Sequence, residues 1–255
     1  MRYKQVIISI VCVLGLSVGV TQYDKLMNKK DENSSSDDSE FEVPPEDRPG
    51  NRGDGGGRDP NNSPELCPQM DKPLLALVPQ KNFGYTLASH PTFWLYIPGY
   101  SKSIDFTLID DKTEDKIYQT NFNVESERGI ISLKLPPAAP PLMVGKEYRW
   151  LFVFNCGDGT KDLLADGVVA RNKANDSLSS RLNSATTVME KIDIYAENGL
   201  WHETITELGN LRRSNPDDVA IKTKWNSLLQ QKYIRFENYD LTSEPIQDCC
   251  DVGGQ

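Results

Sequence analysis

Histidine is nearly absent from this 255-residue chain, with His90 and His202 the only two. They lie far apart, and no Cys/His ligand spacing surrounds either one, so a zinc centre has no basis in the sequence. His202-Glu203 opens like the helix of a zinc protease, but Thr206 stands where the second histidine is required. His90 precedes Pro91, which holds it in an extended or turn conformation at a strand entry, where bonding to backbone is the expectation. A glycine-rich phosphate loop, a nucleophile elbow and a paired-carboxylate pattern are missing as well. The stretch "NCGDGTKDLLAD" fails as an EF-type calcium loop, because Leu163 and Val169 take the places of the required Gly and Glu. Positive charge is also in deficit. The net charge is −9, which argues against a partner whose phosphates need neutralising, so no nucleic acid is expected. These absences leave no catalytic residue, no metal site and no cofactor to nominate. Hydrophobic residues make up 38% of the chain, low for one that is packed throughout.

The longest apolar run is at the N-terminus. Arg2 and Lys4 precede a continuous apolar stretch over 6–20. At ~1.5 Å per residue such a helix falls short of the ~30 Å hydrocarbon core, which suits the apolar segment of an export signal better than a full span. Residues 1–23 are therefore expected to be a signal peptide or a retained N-terminal membrane anchor. Ser17 and Gly19 offer small residues for cleavage, and Cys12 lacks the small neighbour of a lipoprotein box. Either form puts the bulk of the chain outside the cytoplasm, in periplasm, cell envelope or extracellular space. Any membrane contact would run only through this segment, if it is not cleaved. Residues 24–66 are acidic and rich in Gly, Ser and Pro, with Phe41 the single aromatic. Such composition predicts a disordered spacer, since it cannot bury enough apolar surface to offset ordering at ~1–2 kcal/mol per residue.

The remaining chain changes period once. Over 67–172, short apolar runs recur between turn signals at 74–78, 92–97, 104–110, 117–124, 130–135, 147–155 and 165–171. Several alternate strictly, as in Ile104, Phe106, Leu108 and in Tyr148, Trp150, Phe152, Phe154. That spacing predicts an antiparallel, immunoglobulin-like β-sandwich of about seven strands. Over 173–255 the period becomes helical. Leu178, Leu182, Ala185, Val188, Met189, Ile192 and Tyr195 form one apolar face, capped by Asp176 or Ser177 and stopped by Gly199. A second helix starts near Trp201. A third follows "SNPDD", with Asn215 as its cap and Pro216 in its first turn. The fold class is therefore α+β, a β-sandwich followed by a three-helix extension. With Trp201 and Pro216 in suggestive places, that extension looks like one tetratricopeptide-type (TPR-like) hairpin, and a lone hairpin needs a surface to pack on.

Two groups of residues stand out. Besides Cys12, the cysteines are Cys67, Cys156, Cys249 and Cys250. In an oxidising compartment four cysteines imply two bridges. A Cys67–Cys156 disulfide would tie the start of the β-domain to the end of its Trp150 strand. Adjacent Cys249 and Cys250 can pair with each other under strain, pair between chains, or bind a metal. The other group is "HPTFWLYIPGY". Phe93, Leu95 and Ile97 point to one side of a strand and Trp94 and Tyr96 to the other, so both faces are apolar. Trp94, Tyr96 and Tyr100 are thus either an open aromatic binding face or the docking face for the helices. Covering one Trp removes ~150–250 Å² from water at ~25 cal/mol per Å², which favours docking.

The segments "LALVPQKNFGYTLASHPTFWLYIPG", "GIISLKLP", "LMVGKEYRWLFVFNC" and "IYAENGLWHETITELGNLRRSNPDD" resemble a cyanobacterial domain-of-unknown-function family, number 928. The resemblance covers about 67–250, and it implies export and no transferable catalytic residues. Function is then expected to be a non-catalytic interaction or scaffold module of the cell envelope, with an envelope protein or glycan as partner. The alternatives are a glycan or small-ligand binder using exposed aromatics such as Tyr100 or Tyr85, and an enzyme of unknown type.

Overall fold

A computed structural model of the chain describes residues 39–48, 50, 72–99, 103–124, 128–154, 162–234, 236 and 239–247. All of them belong to one compact unit, Asp38–Gln255. The proposed signal or anchor over 1–23 lies outside the described residues, as do Cys67, Cys156, Cys249, Cys250 and Tyr100. Among the described residues no helix is long and apolar enough to cross a membrane.

Among the described residues the architecture is α+β, with eight strands followed by four helices. The strands are β1 (Leu75–Ala76), β2 (Phe83–Thr86), β3 (Thr92–Ile97), β4 (Ser103–Asp110), β5 (Lys116–Asn123), β6 (Gly129–Lys134), β7 (Glu147–Phe154) and β8 (Leu163–Arg171). They form a three-stranded sheet ordered β1-β3-β6 and a five-stranded sheet ordered β2-β8-β7-β4-β5. The helices are α1 (Asp176–Ser184), α2 (Val188–Glu197), α3 (Trp201–Ser214) and α4 (Val219–Gln230).

Alternation in the strands places the first core. Ile104, Phe106 and Leu108 of β4 lie level with Phe154, Phe152 and Trp150 of β7 in an antiparallel register. Successive side chains of a strand leave opposite faces, so these rings and branched chains gather on one side. They meet Phe93, Leu95 and Ile97 of β3 and Ile131 and Leu133 of β6 in one buried cluster fed by both sheets. The opposite face of the three-stranded sheet is apolar too. Leu75, Leu77, Trp94, Tyr96 and Ile130 join Ile192, Trp201, Ile205, Leu208, Trp225 and Leu229 in a second cluster, under the helices. The three-stranded sheet is therefore a middle layer, covered on both faces except at the Lys134 end of β6.

Several expectations need correction. A strand absent from the sequence reading, β2, pairs parallel with β8, so the sheets are not wholly antiparallel. Its four residues carry Gly84 and follow Asn82, whose φ of 57° is left-handed, so the stretch scores as a turn. The first long helix is two helices. Thr187 accepts from the Glu190 amide while the Glu190 side chain returns to the Thr187 amide, a capping box that restarts the chain as α2. Asn175 caps α1, in place of Asp176 or Ser177. Asp218 caps α4, in place of Asn215. The C-terminal tail has no helical or strand period, yet its described residues 239–247 lie along the sheet edge. Ile246 bridges Ile130 in parallel, and buried Glu244 takes a 2.5 Å ion pair from Lys72.

The spacer also needs correction over part of its length. Within the stretch expected to be disordered at 24–66, residues 39–48 pack onto the fold, with Phe41 2% exposed. One aromatic ring and a buried Pro44 are anchors that a composition average over forty residues dilutes.

Candidate functional site

The site is built on β3 and the start of α3. Trp94 projects from β3 toward α3, where its Nε1 donates to Thr206 Oγ1 at 3.0 Å. The indole lies flat against Gly209, since a Cβ there would sit 2.4 Å from Trp94 Cη2. Only glycine lets the helix approach the sheet this closely. The Arg213 guanidinium lies 5.4 Å from the same ring's centroid, and Trp225 of α4 approaches at 6.4 Å. Trp201, the first residue of α3, donates from Nε1 to the Leu77 carbonyl at 2.9 Å. Buried indoles need such partners, because an unpaired N–H in an apolar setting loses the hydrogen bond it made to water.

His202 and Glu203 follow at once. His202 is 3% exposed and sets its ring edge-on to Phe93 at 5.5 Å. Its Nδ1–H donates to the Thr92 carbonyl at 3.1 Å, which leaves Nε2 as a lone-pair acceptor with no hydrogen-bond partner among the described residues. Burial disfavours the charged ring and pulls its pKa down to about 4. Glu203 Oε1 accepts from Thr86 Oγ1 at 2.7 Å, the Leu87 amide at 2.8 Å and the Ala88 amide at 3.2 Å. Burial raises its pKa, and these hydrogen bonds oppose the rise. The carboxylate thereby satisfies the turn after β2 and pins it to the first turn of α3, where the helix dipole favours negative charge. His202 is buried and Glu203 half-buried, and their hydrogen bonds tie the start of α3 to β3 and to the turn after β2. Their geometry is that of a clamp.

Residues 39–48 form a strap that crosses from the helices to the five-stranded sheet. Phe41 meets Trp201 edge to face at 5.2 Å. The Glu42 amide donates to the Ala196 carbonyl at 2.9 Å, and the Phe41 amide to Gln231 Oε1 at 2.9 Å. Ser39 Oγ donates to Asp193 Oδ1 at 2.6 Å, the same oxygen that Lys224 Nζ meets at 2.7 Å. Lys81 Nζ donates to the Pro44 and Pro45 carbonyls. Tyr85 donates to Glu46 Oε1 at 2.6 Å, and Arg48 pairs with Glu147. Burial and the Glu46 carboxylate push the Tyr85 hydroxyl up to about 12. Gly199 makes room for the strap. Its φ is +65°, and a Cβ there would lie 2.9 Å from the Glu42 carbonyl oxygen.

The residues singled out from sequence fall as follows. Trp94 and Tyr96 are each 1% exposed beneath the helices, and Tyr100 lies outside the described residues. Tyr85 is held by the strap. His90 donates from Nε2 to the Ala139 carbonyl at 3.0 Å and pairs with Ser89 Oγ at 3.1 Å. The cysteines Cys67, Cys156, Cys249 and Cys250 lie outside the described residues. Among the described residues no group of three His, Cys, Asp or Glu is placed to hold a metal ion. Sequence reading missed the Glu203 clamp and the strap. A lone Phe41 ahead of Val43-Pro44-Pro45 was the available signal for the strap. Nothing in the local sequence of Glu203 marks it, because its partners lie over a hundred positions earlier.

The model of a family described as Domain of Unknown Function (DUF928) matches residues 50–246, and the chain belongs to that family. No curated protein matches the chain.

Proposed function

We propose that this DUF928 member is a non-catalytic interaction or scaffold module of the cell envelope, carried outward by its N-terminal segment and held there as an immunoglobulin-like sandwich with a TPR-like helix pair. The Cys67–Cys156 disulfide is part of this reading, as a staple for the oxidising compartment. One observation carries it. The aromatic side chains that could have formed a ligand platform, Trp94 and Tyr96, are buried at 1% exposure in the joint between sheet and helices. The joint builds a rigid body whose outer surface, not an inner cleft, meets other molecules. Burial of those two rings also weakens the glycan-binding alternative, which would have to draw on Tyr100.

The test is a cross-linked pull-down from native envelope with the full chain as bait. Recovery of a defined envelope protein, lost on competition with untagged chain, is the expected result. Saturable binding to soluble glycans with no protein recovered would replace the module reading with the glycan one. A co-purifying turnover activity abolished by Glu203→Gln would replace it with an enzyme.

A further inference from the structure

We propose that the channel beneath residues 39–48 is a peptide-binding groove that can exchange its resident strap for the same segment of a second copy of this chain. This deepens the interaction-module reading by naming one partner, and rests on it only in taking binding as what the chain does.

The strap has the features of a bound ligand. It contributes no strand to either sheet and no helix. It is held by one aromatic anchor, Phe41, by a buried proline, Pro44, and by side-chain and single backbone hydrogen bonds at both ends. The groove floor comes from elements far apart in sequence: Trp201, Ala196, Lys81, Tyr85 and Gln231. Trp201, Ala196 and Tyr85 are placed by their own helix or strand, Gln231 caps the end of α4, and Lys81 sits in the turn before β2. An emptied groove would leave the Trp201 face that Phe41 covers without its neighbour, so it calls for an occupant.

Chain length allows the exchange. Residues 51–71 connect the strap to the rest of the fold, and 21 residues at ~3.3 Å each can span up to about 70 Å. The strap of one copy can therefore reach the groove of a neighbour without unpairing any strand. Every contact is reproduced in the exchanged form, because the groove and its ligand are the same sequences. Swapping an identical element in this way is a low-cost route to a dimer. The strap of the same chain competes at an effective concentration on the order of mM, so exchange is favoured where copies are crowded.

The experiment uses the full chain in mild detergent and a fluorescent synthetic peptide of residues 38–49. Phe41→Ala weakens the resident strap, and Glu46→Gln with Arg48→Ala does so without touching the apolar anchor. The peptide is expected to bind either variant at least tenfold more tightly than it binds the wild-type chain, as read by anisotropy. The peptide carrying Phe41→Ala should not bind. Concentrated wild-type chain should slowly form a dimer by light scattering, and the Phe41→Ala chain should stay monomeric. Absence of saturable peptide binding to both variants would overturn the groove. A wild-type chain that stays monomeric, or a dimer that survives Phe41→Ala, would overturn the second copy as occupant. None of these failures touches the envelope pull-down, which tests the module reading separately.

Discussion

Phe93 and Trp94 are neighbours on β3, yet they enter two different kinds of core. Phe93 faces the second sheet and packs on Phe106 and Trp150 at 5.3 and 5.2 Å. That core is filled by the alternating apolar side chains of both sheets. Trp94 faces the helices, in a core flanked by buried Arg212, whose guanidinium lies 5.5 Å from the Trp225 ring, and by buried Lys224, while buried His202 sits at the joint with its ring edge-on to Phe93. Those polar groups are tied by specific bonds, His202 to the Thr92 carbonyl, Arg212 to the Glu244 carbonyl and Lys224 to Asp193, and the indoles by Trp94 to Thr206 and Trp201 to the Leu77 carbonyl. The difference teaches that the sheet–sheet core is set by pattern and the sheet–helix core by individual fits. The second kind is expected to tolerate fewer substitutions, and His202, buried at the joint, makes the contact between sheet and helices respond to pH.

The largest effects should come from Phe93→Ala and Trp94→Ala, each destabilising by about 3–5 kcal/mol. They should differ in kind. Phe93→Ala is expected to lower the global unfolding transition. Trp94→Ala should speed amide exchange in α3 and α4 first, while β4 and β7 stay protected. Equal acceleration across helices and strands in both variants would merge the two cores into one.

His202 comes next. Its folded pKa of about 4 lies below the ordinary 6.5, so the unfolded chain takes up the proton first on acidification. Its contribution is fully present above pH 6.5, falls between pH 6.5 and 4, and levels off below. The gap corresponds to about 3 kcal/mol. Urea denaturation of wild type and His202→Gln should show that difference in slope across this window. Glu203, with its raised pKa, acts in the opposite sense, favouring the fold as pH falls through its folded pKa. A Glu203→Gln control separates the two. A wild type and His202→Gln pair with parallel pH profiles would remove the pH sensitivity assigned to the joint between sheet and helices.

Gly209→Val should destabilise by about 1–3 kcal/mol through the clash with the Trp94 ring. Combined with Trp94→Ala, most of that penalty should vanish, a non-additivity a double-mutant cycle reads directly. Additive losses would show that the helix does not rest on the indole.

The smallest effect concerns the strap. Tyr85→Phe removes the hydroxyl bonded to Glu46 and should cost about 1 kcal/mol. Spectroscopic titration should find one tyrosine near 12 in wild type, moved toward the ordinary value by Glu46→Gln. A Tyr85 titration indifferent to Glu46 would mean the strap does not lie across β2.

Much of the strand and helix content was legible because it rests on local period. Alternation in β4 and β7 and the three-four spacing around Ile192 and Ile205 read directly from the chain. The surplus of apolar residues on both faces of β3 also read directly, and it implied that something covers the second face. The strand β2 was hidden because its support comes from β8, over eighty residues later. The Thr187 break was hidden because the apolar stripe runs through it unbroken, and the stop is a hydrogen-bonding event at Thr186, Thr187 and Glu190.

The sequence by itself determined the change from strand to helix period, most of the strands and helices, which residues avoid water, and a net charge of −9. Periodicity and solvation act on neighbours along the chain, so they need no coordinates. Only the tertiary structure decided that Glu203 closes the β2 turn, that a glycine admits Trp94, and that Phe41 packs on Trp201 instead of lying in an idle spacer. Those outcomes depend on distances between segments a hundred residues apart, where a shift of one ångström makes or breaks a hydrogen bond.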